Sequence, residues 1–338
     1  MIEITLSKAF PALRMEANIP YIVEDVNAGQ LMQLPDLVTH LRKLEVPRIQ
    51  DVYQAGPPIV ITRPGGIGDL LQLTPLIERL ARHGHSVHVC TCRSFWPVII
   101  NNPHVDGLHE YPMQAREFAE TPNHIWLENA IEGNADAETL HMADVFFKAA
   151  GFRVESSFPM HCRVYPSTIN PKTQRVSIGL HLSASARNRQ YNRGAELIDL
   201  ILAETDWDID IYGAPGEIIT ESDERIHNHS AEGFTLEQTL NHMTSLHGFV
   251  GVDSGLLHAA GGLEIPGVAL YAAFPGELRC KYHPSIAVIQ AQASCAPCFH
   301  HQRFSAWPAK CPGAQHNRCV VLDAISPRRI LEELKIQI

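Results

Sequence analysis

Three glycines and an aspartate follow directly on an apolar run at residues 58–63. The segment reads Gly65-Gly66-Ile67-Gly68-Asp69 and leads into a predicted helix over residues 69–83. Glycines at such a turn let a substrate approach the backbone closely. Asp69 stands at the start of the helix, where a carboxylate can cap free amides or take a proton from a substrate. The residues alone leave both roles open.

A second segment has the same placement, after a predicted strand at 247–252 and at the start of a predicted helix at 254–263. It reads Gly251-Val-Asp253-Ser254-Gly255-Leu256-Leu257-His258. The amides of a first helical turn, at the carboxyl end of a strand, favour phosphate groups. We expect a ligand with a pyrophosphate here. The alternative is a capped helix in which His258 is a buried, hydrogen-bonded core residue.

A third segment follows the predicted strand at 176–182 and carries Ser183, Ser185, Arg187 and Arg189. Arginine presents a fork of donors that suits phosphate oxygens, and serine can cap a turn. A solvated basic loop is the alternative. Glu217, in a Gly-Ala-Pro-Gly-Glu loop after the predicted strand at 208–212, could accept hydrogen bonds from ribose hydroxyls.

Four of the eight cysteines fall within a short window, as Cys295-x2-Cys298-x12-Cys311-x7-Cys319. Soft thiolates at this density favour a tetrahedral structural zinc or iron site that is closed to substrate. Four reduced thiols beneath a loop are the alternative, because the second pair is spaced more loosely than in the usual zinc pattern. Three histidines in the same window could replace one thiolate: His300, His301 and His316.

Composition places the chain among globular proteins of about two domains, since 338 residues exceed one ordinary core. The 27 lysines and arginines against 37 acidic residues leave a net charge of −10, which argues against a general nucleic-acid binder. The first residues lack the basic start and apolar core of a signal peptide, so we expect a cytoplasmic protein. The most apolar later stretch is broken by charged residues and proline, and we predict no transmembrane helix.

Strands and helices alternate twice along the chain, which indicates an α/β protein with parallel sheets and helices on both faces. The two rounds span residues 57–165 and 172–325. Residues 1–56 precede them as an appendage with helical spacing from Leu31 to Leu44, suited to packing on the main body or to a subunit contact. Residues 326–338 begin with Ser326 and Pro327 and form an amphipathic helix.

The motifs together resemble glycosyltransferase family 9, the heptosyltransferases. The resemblance rests on the GGxGD loop with its Thr74-Pro75-Leu76 continuation, the GAPGE segment and DSGLLHAA, and it covers roughly residues 57–335. It implies a GT-B fold, in which two Rossmann-like domains with parallel sheets face each other across a cleft. Residues 57–165 would form the acceptor-side domain and residues 172–325 the nucleotide-sugar domain, including the Cys-rich segment 295–319. The helix at 326–338 would cross back onto the first domain.

The resemblance also implies a mechanism, which is inverting transfer from an ADP-heptose-like donor to a hydroxyl without a catalytic metal. Asp69 matches the family's general base. Arg189 stands where many relatives carry a lysine. The residues that would bind the donor are Gly66, Gly68, Ser183, Arg189, Glu217, Asp253, Ser254, Gly255, Leu256 and His258. The family includes protein-modifying autotransporter heptosyltransferases with an iron-holding cysteine finger.

The expected partners are a nucleotide-sugar donor and an acceptor that is either a glycan, such as a lipopolysaccharide core, or a protein. No nucleic acid is expected, while peripheral membrane association and a homo-oligomer formed through the appendage stay open. One alternative keeps the fold but makes the chain a non-catalytic nucleotide-binding scaffold. Another is an NAD-dependent oxidoreductase, against which the loop lacks the GxGxxG spacing and the acidic residue about 20 positions on.

Overall fold

The computed structural model describes residues 1–23, 31, 34, 37–43, 57–131, 134–154, 160–213, 223–299, 314–315 and 318–338. The chain divides into two compact units. The first comprises Met1–Ala137 and Met142–Pro159, and the second comprises Glu138–His141 and Met160–Ile338.

The first unit begins with an antiparallel sheet. Its strands, in the spatial order β2-β1-β3, are β1 (Ile2–Leu6), β2 (Pro20–Val23) and β3 (Val38–Lys43). Alternate residues of β1 are buried, as expected for a sheet with one solvated face. The helix predicted from Leu31 to Leu44 is wrong over β3, where Leu41 pairs with Ile4 of β1. The period of apolar residues in that segment fitted a helix, but pairing along β1 decided the backbone.

The rest of the first unit is a parallel sheet with helices. Its elements are β4 (Ile59–Thr62), α1 (Ile67–Arg82), β5 (Val87–Thr91), β6 (Gly107–Glu110), α2 (Ala115–Glu120), β7 (Asn123–Trp126) and α3 (Met142–Ala149). The strand order is β6-β5-β4-β7. A 3-10 turn, Arg93–Val98, follows β5. The N-terminal sheet joins this body through β2, where the Ile22 amide donates to the Met113 carbonyl at 2.9 Å.

The second unit contains a six-stranded parallel sheet in the order β10-β9-β8-β11-β12-β13. Its elements are β8 (Ser177–His181), α4 (Gly194–Glu204), β9 (Asp208–Ile211), β10 (Ile226–Asn228), α5 (His229–Glu232), α6 (Leu236–Met243), β11 (Gly248–Val252), α7 (Gly255–Gly262), β12 (Gly267–Tyr271), α8 (Gly276–Arg279), β13 (Ile286–Gln290), the pair β14 (Ala314–Gln315) and β15 (Arg318–Cys319), and α9 (Pro327–Gln337). Counted along the chain, this is the doubly wound order 3-2-1-4-5-6, which reverses between β8 and β11.

The predicted α/β class with parallel sheets is confirmed. Apolar residues of the second sheet, of α4 and of α9 form one buried core, to which α9 contributes Ile330, Leu331 and Leu334. Ser326 caps α9, because its hydroxyl accepts from the Arg329 amide at 3.2 Å. The predicted crossing of this helix onto the first unit stays a prediction. Among the helices in the described part of the chain, none has the length and apolar character needed to cross a membrane.

Candidate functional site

The loops after β8 and β11 meet where the strand order of the second unit reverses. β8 and β11 pair in parallel, so their carboxyl ends lie side by side. His181 ends β8, and its Nδ1 lies 2.8 Å from the hydroxyl oxygen of Ser254. This crevice is the usual ligand site of an open α/β sheet. The fold therefore brings together two of the segments that the sequence had singled out.

Ser254 caps helix α7 and accepts from the Leu257 amide at 3.4 Å. The next two amides of the first turn, those of Gly255 and Leu256, find no hydrogen-bond acceptor among the described residues. Free amides at a helix start carry a partial positive charge and attract anions. The predicted phosphate-binding turn thus has two donors available.

Arg189 holds the loop after β8 against this helix start. Its Nη1 donates to the Asp253 backbone carbonyl at 2.9 Å and lies 3.3 Å from Asp253 Oδ2. Its Nη2 donates to the Ser185 hydroxyl at 3.3 Å. The side chain stays 13% exposed, so its charge reaches the crevice while its direction is set by Asp253.

Asp253 lies between a histidine and an arginine. Oδ1 lies 3.6 Å from His258 Nε2, and Oδ2 faces Arg189. Burial alone would raise the pKa of Asp253, but the hydrogen bond with His258 and the charges of Arg189 and Arg279 outweigh it and hold the pKa well below its usual range. Asp253 is therefore a permanent anion that positions its neighbours.

His258 is buried and continues into a second histidine that the sequence analysis did not single out. Its Nδ1 lies 3.1 Å from Nε2 of His283. Burial and then the neighbouring His258 lower the pKa of His283 to about 3. Gly261 makes room for this ring, because a Cβ at that position would come within 2.5 Å of it. No sequence signal pointed to His283, since it lies 25 residues from His258.

Arg279, in α8, is a second functional candidate that sequence reasoning missed. Its guanidinium carbon lies 4.5 Å from the ring centroid of Phe274, a cation–π contact. Its charge acts on Asp253, as noted, and it contributes to lowering the pKa of the buried His141 after burial itself, His283 and His258. The site is therefore more cationic than the predicted segments alone indicate.

Two further predicted donor residues have different outcomes. Ser183 is half-buried in the loop between β8 and the 3-10 turn Arg187–Arg189. Glu217 lies outside the described residues, and its predicted contact with a ribose stays a prediction.

In the first unit, Asp69 stands in the first turn of α1, after the glycine loop that follows β4. Its Oδ2 accepts from the Gly66 amide at 2.9 Å and from Arg63 Nη2 at 3.1 Å. Within the described part of the chain, Oδ1 accepts no hydrogen bond. The side chain is 23% exposed. The capping role is thus present, and one carboxylate oxygen is left for another partner.

Arg63 is 3% exposed and lies at the switch point of the first sheet, the place between β4 and β7 where the strand order reverses. Its hydrogen bonds join the segments that follow these two strands. Besides Asp69, it donates to the carbonyls of Leu127, at 2.8 Å, and Glu128, both of which follow β7. The sequence analysis missed Arg63, although an arginine that ends an apolar strand directly before a glycine loop is a signal of such a role.

The three glycines of this loop, of which Gly66 and Gly68 were predicted site residues, differ in what surrounds them. Gly65, which was not among the predicted site residues, lies against Asp69, because a Cβ there would come within 2.0 Å of Oδ2. A Cβ at Gly66 would meet nothing within 4 Å. Gly66 is exposed and Gly68 is half-buried in the first turn of α1. The glycine that the Asp69 position requires is therefore Gly65.

Three of the four predicted metal ligands lie in the described part of the chain. Cys295 and Cys298 are half-buried and Cys319 is buried, whereas Cys311 falls outside. Cys295 packs against the core that contains Cys319, and Cys298 Sγ lies 3.7 Å from Asn188 Nδ2. The three described cysteines do not form a group with all sulfurs within 4.8 Å of one another. The predicted four-cysteine site stays a prediction.

Known proteins resemble the chain in both sequence and fold. Residues 169–307 match the sequence model of Glycosyltransferase family 9 (heptosyltransferase). A comparison with curated proteins finds no match. The fold is similar to that of E. coli ADP-heptose lps heptosyltransferase II, with 17% identity, a TM-score of 0.63, and coverage of 83% of this chain and 98% of that chain.

Two more solved structures have similar scores, again over 83% of this chain. The iron-containing dodecameric glycosyltransferase TibC from enterotoxigenic E. coli H10407 has 14% identity, a TM-score of 0.63 and 76% of its length covered. A glycosyl transferase family 9 protein from Veillonella parvula DSM 2008 has 15% identity, a TM-score of 0.62 and 97% of its length covered. At such identities the structures establish the fold.

The two doubly wound units, each with charged side chains at the place where its strand order reverses, give the chain the GT-B fold class of these neighbours. The match over residues 169–307 confirms the predicted resemblance to glycosyltransferase family 9. That match spans less than half of the chain and lies in the second unit, which contains Arg189, Asp253, Ser254 and His258.

Proposed function

We propose that the protein is an inverting glycosyltransferase that moves heptose or a related sugar from an ADP-heptose-like donor to a hydroxyl group. The observation that carries the proposal is the switch point of the second unit. There, Arg189 and the free amides of Gly255 and Leu256 converge inside the segment that matches family 9. TibC, which shares the fold, has been solved in complex with ADP-D-beta-D-heptose.

The donor's diphosphate would bind at the start of α7. Two backbone amides and the fork of Arg189 offer donors to phosphate oxygens, and the helix start adds its partial positive charge. The same groups would stabilise the charge that develops on the leaving diphosphate. Asp253 keeps Arg189 and His258 in place, which reduces the reorganisation needed when the diphosphate binds. Ser183 and Glu217 would complete the site at the sugar-phosphate and ribose.

Asp69 would act as the general base. An acceptor hydroxyl would give its proton to Oδ1 as its oxygen forms a bond to the anomeric carbon. The bond from that carbon to the diphosphate oxygen would break on the opposite face, so the configuration inverts and a nucleoside diphosphate leaves. Oδ2 is fixed by Gly66 and Arg63, which supports a carboxylate of set direction. A positioned base contributes about 10²–10⁴ to the rate.

Two further parts of the proposal concern the cysteines and the appendage. A structural zinc or iron ion at Cys295, Cys298, Cys311 and Cys319 would fasten the segment 295–319 to the core, and TibC is described as iron-containing. The N-terminal sheet would serve as a contact between copies of the chain or with the acceptor, a glycan or protein. The predicted cytoplasmic location and peripheral membrane association stay predictions.

The deciding experiment is calorimetric titration of the purified protein with ADP, GDP, UDP and NAD, followed by incubation with ADP-heptose and candidate acceptors. Saturable binding of ADP, with ADP release that depends on an acceptor, is the expected result. Binding of NAD alone would overturn the proposal. ADP-heptose that binds and survives with every acceptor would leave a non-catalytic scaffold.

A further inference from the structure

A second polar cluster lies in the second unit where β9, α5 and α6 meet. Its members are Asp210 on β9, His229 at the first position of α5, and His242 near the end of α6. One ligand atom from each side chain lies within 4.8 Å of the other two. Among the described residues, this is the one group of three or more histidine, cysteine or carboxylate side chains whose ligand atoms all lie that close together. None of them belongs to the proposed donor site.

Both histidines point the same ring nitrogen at one carboxylate oxygen. His229 Nε2 lies 2.7 Å from Asp210 Oδ1, and His242 Nε2 lies 3.9 Å from the same atom. Two imidazole nitrogens and a carboxylate oxygen are a donor set that zinc and related divalent metals take in proteins.

Each of the three side chains has an outer partner on its other polar atom. His229 Nδ1 lies 3.0 Å from Glu232 Oε2, and His242 Nδ1 lies 2.7 Å from the Tyr212 hydroxyl. Asp210 Oδ2 accepts from the hydroxyl of Ser177. Metal-binding histidines typically donate their second ring nitrogen in this way, which leaves the first with a lone pair for the metal. The cluster therefore has an inner and an outer set of contacts.

Burial and access also fit a bound ion. Asp210 is 3% exposed and His229 7%, so an ion there would be largely removed from water. The side chain of His242 is 29% exposed, so solvent reaches the cluster from that side. Tyr212, in the outer set, directly precedes the GAPGE loop.

We propose that Asp210 Oδ1, His229 Nε2 and His242 Nε2 bind one divalent transition-metal ion, with Zn²⁺ the best match. The ion would tie helices α5 and α6 to β9 and thereby fix the strand end that leads to the predicted ribose-binding loop. This site is separate from the predicted four-cysteine site, because it offers nitrogen and oxygen donors instead of thiolates.

The test is titration of the chelator-treated full chain with Co²⁺, followed by absorption spectroscopy. Cobalt bound by nitrogen and oxygen gives visible bands without the intense near-ultraviolet charge-transfer band of a cobalt thiolate. Wild-type protein should bind one equivalent of Co²⁺ with nitrogen and oxygen ligands, whether or not the cysteines also bind cobalt. Zn²⁺ should displace this Co²⁺. If only thiolate-type binding or no binding occurs, the proposal is wrong.

Variants sharpen the assignment. His242→Gln should abolish the visible bands and the rise in melting temperature on adding Zn²⁺, whereas His161→Gln, a histidine of the same unit outside the cluster, should keep both. Glu232→Gln alters an outer partner that is mostly exposed, so the protein should fold and bind Zn²⁺ about 10-fold more weakly. Unchanged affinity in both cluster variants would overturn the proposal.

Discussion

Each unit places an arginine and an aspartate at the switch point of its parallel sheet, but the two pairs differ in how the carboxylate is used. In the second unit, both oxygens of Asp253 have a side-chain partner, Arg189 at Oδ2 and His258 at Oδ1. In the first unit, Asp69 Oδ2 accepts hydrogen bonds from the Gly66 amide and from Arg63. Its Oδ1 accepts none from the described residues. An enclosed carboxylate positions its neighbours, whereas a half-satisfied one can take a proton.

The largest effect should follow from removing the half-satisfied carboxylate. Asp69→Asn keeps the size of the side chain but cannot accept a proton, so the rate of transfer should fall by about 10²–10⁴. Donor affinity, measured by titration with ADP, should change less than a few-fold, because Asp69 lies outside the unit in which we propose the diphosphate binds. If Asp69→Asn turns over at the wild-type rate, Asp69 is not the general base, and the proposed difference in role between Asp69 and Asp253 is wrong.

The second unit should respond in the opposite way, through binding. Arg189→Gln removes a charged donor, and a charged hydrogen bond contributes roughly 1.5–3 kcal/mol, which corresponds to about 10–100-fold in ADP affinity. Arg187→Gln, in the same 3-10 turn, is the matched control. Equal losses in both variants would indicate a general charge effect on ADP instead of a specific contact by Arg189.

Two neighbouring glycines test how the Asp69 carboxylate is held. Gly65→Ala would push against Oδ2, so we expect the carboxylate to leave the Gly66 amide and the rate to fall by about 10-fold or more, since small misplacements have large effects on rate. The Cβ of Gly66→Ala meets no atom of the described residues within 4 Å, so the melting temperature of this variant should match wild type. Any loss of rate in it would then report contact with substrate. Wild-type kinetics in Gly65→Ala would show that Oδ2 need not be held.

The buried histidines of the second unit should make its stability pH-dependent. The pKa of His283 is about 3 in the folded state and about 6.5 when unfolded, so the unfolded state binds more protons between these values. Stability should therefore fall as the pH drops from about 6.5, by up to about 1.4 kcal/mol per pH unit for this group. Denaturant titrations from pH 7 to pH 4 should give a smaller slope for His283→Gln than for wild type. Identical slopes would contradict the assignment.

The smallest effect should follow from Cys298→Ser. If the four cysteines hold a metal, the variant should lose it, because one of the four thiolates is gone. Elemental analysis should then show a lower zinc or iron content, and the melting temperature should be lower as well. Cys92→Ser, a half-buried cysteine of the first unit, is the control. Unchanged metal content in Cys298→Ser would exclude the cluster.

Sequence reasoning worked best where a local rule decided the structure. The segments at Asp69 and Asp253 each follow a strand and open a helix as expected. It failed at Val38–Lys43, where apolar spacing indicated a helix but the segment pairs with β1. Short strands such as β6 and β10 were missed, because four or three residues carry too little periodicity.

The sequence by itself determined the class of fold, the glycine loop, the capped helix start and the family resemblance, because each depends on residues close together in the chain. Only the tertiary structure decided which distant groups meet. Arg63 donates to the Leu127 carbonyl after the neighbouring strand, His258 and His283 meet through ring nitrogens, and Asp210, His229 and His242 converge from three elements. These contacts arise from strand order and helix packing, and no spacing along the chain encodes them.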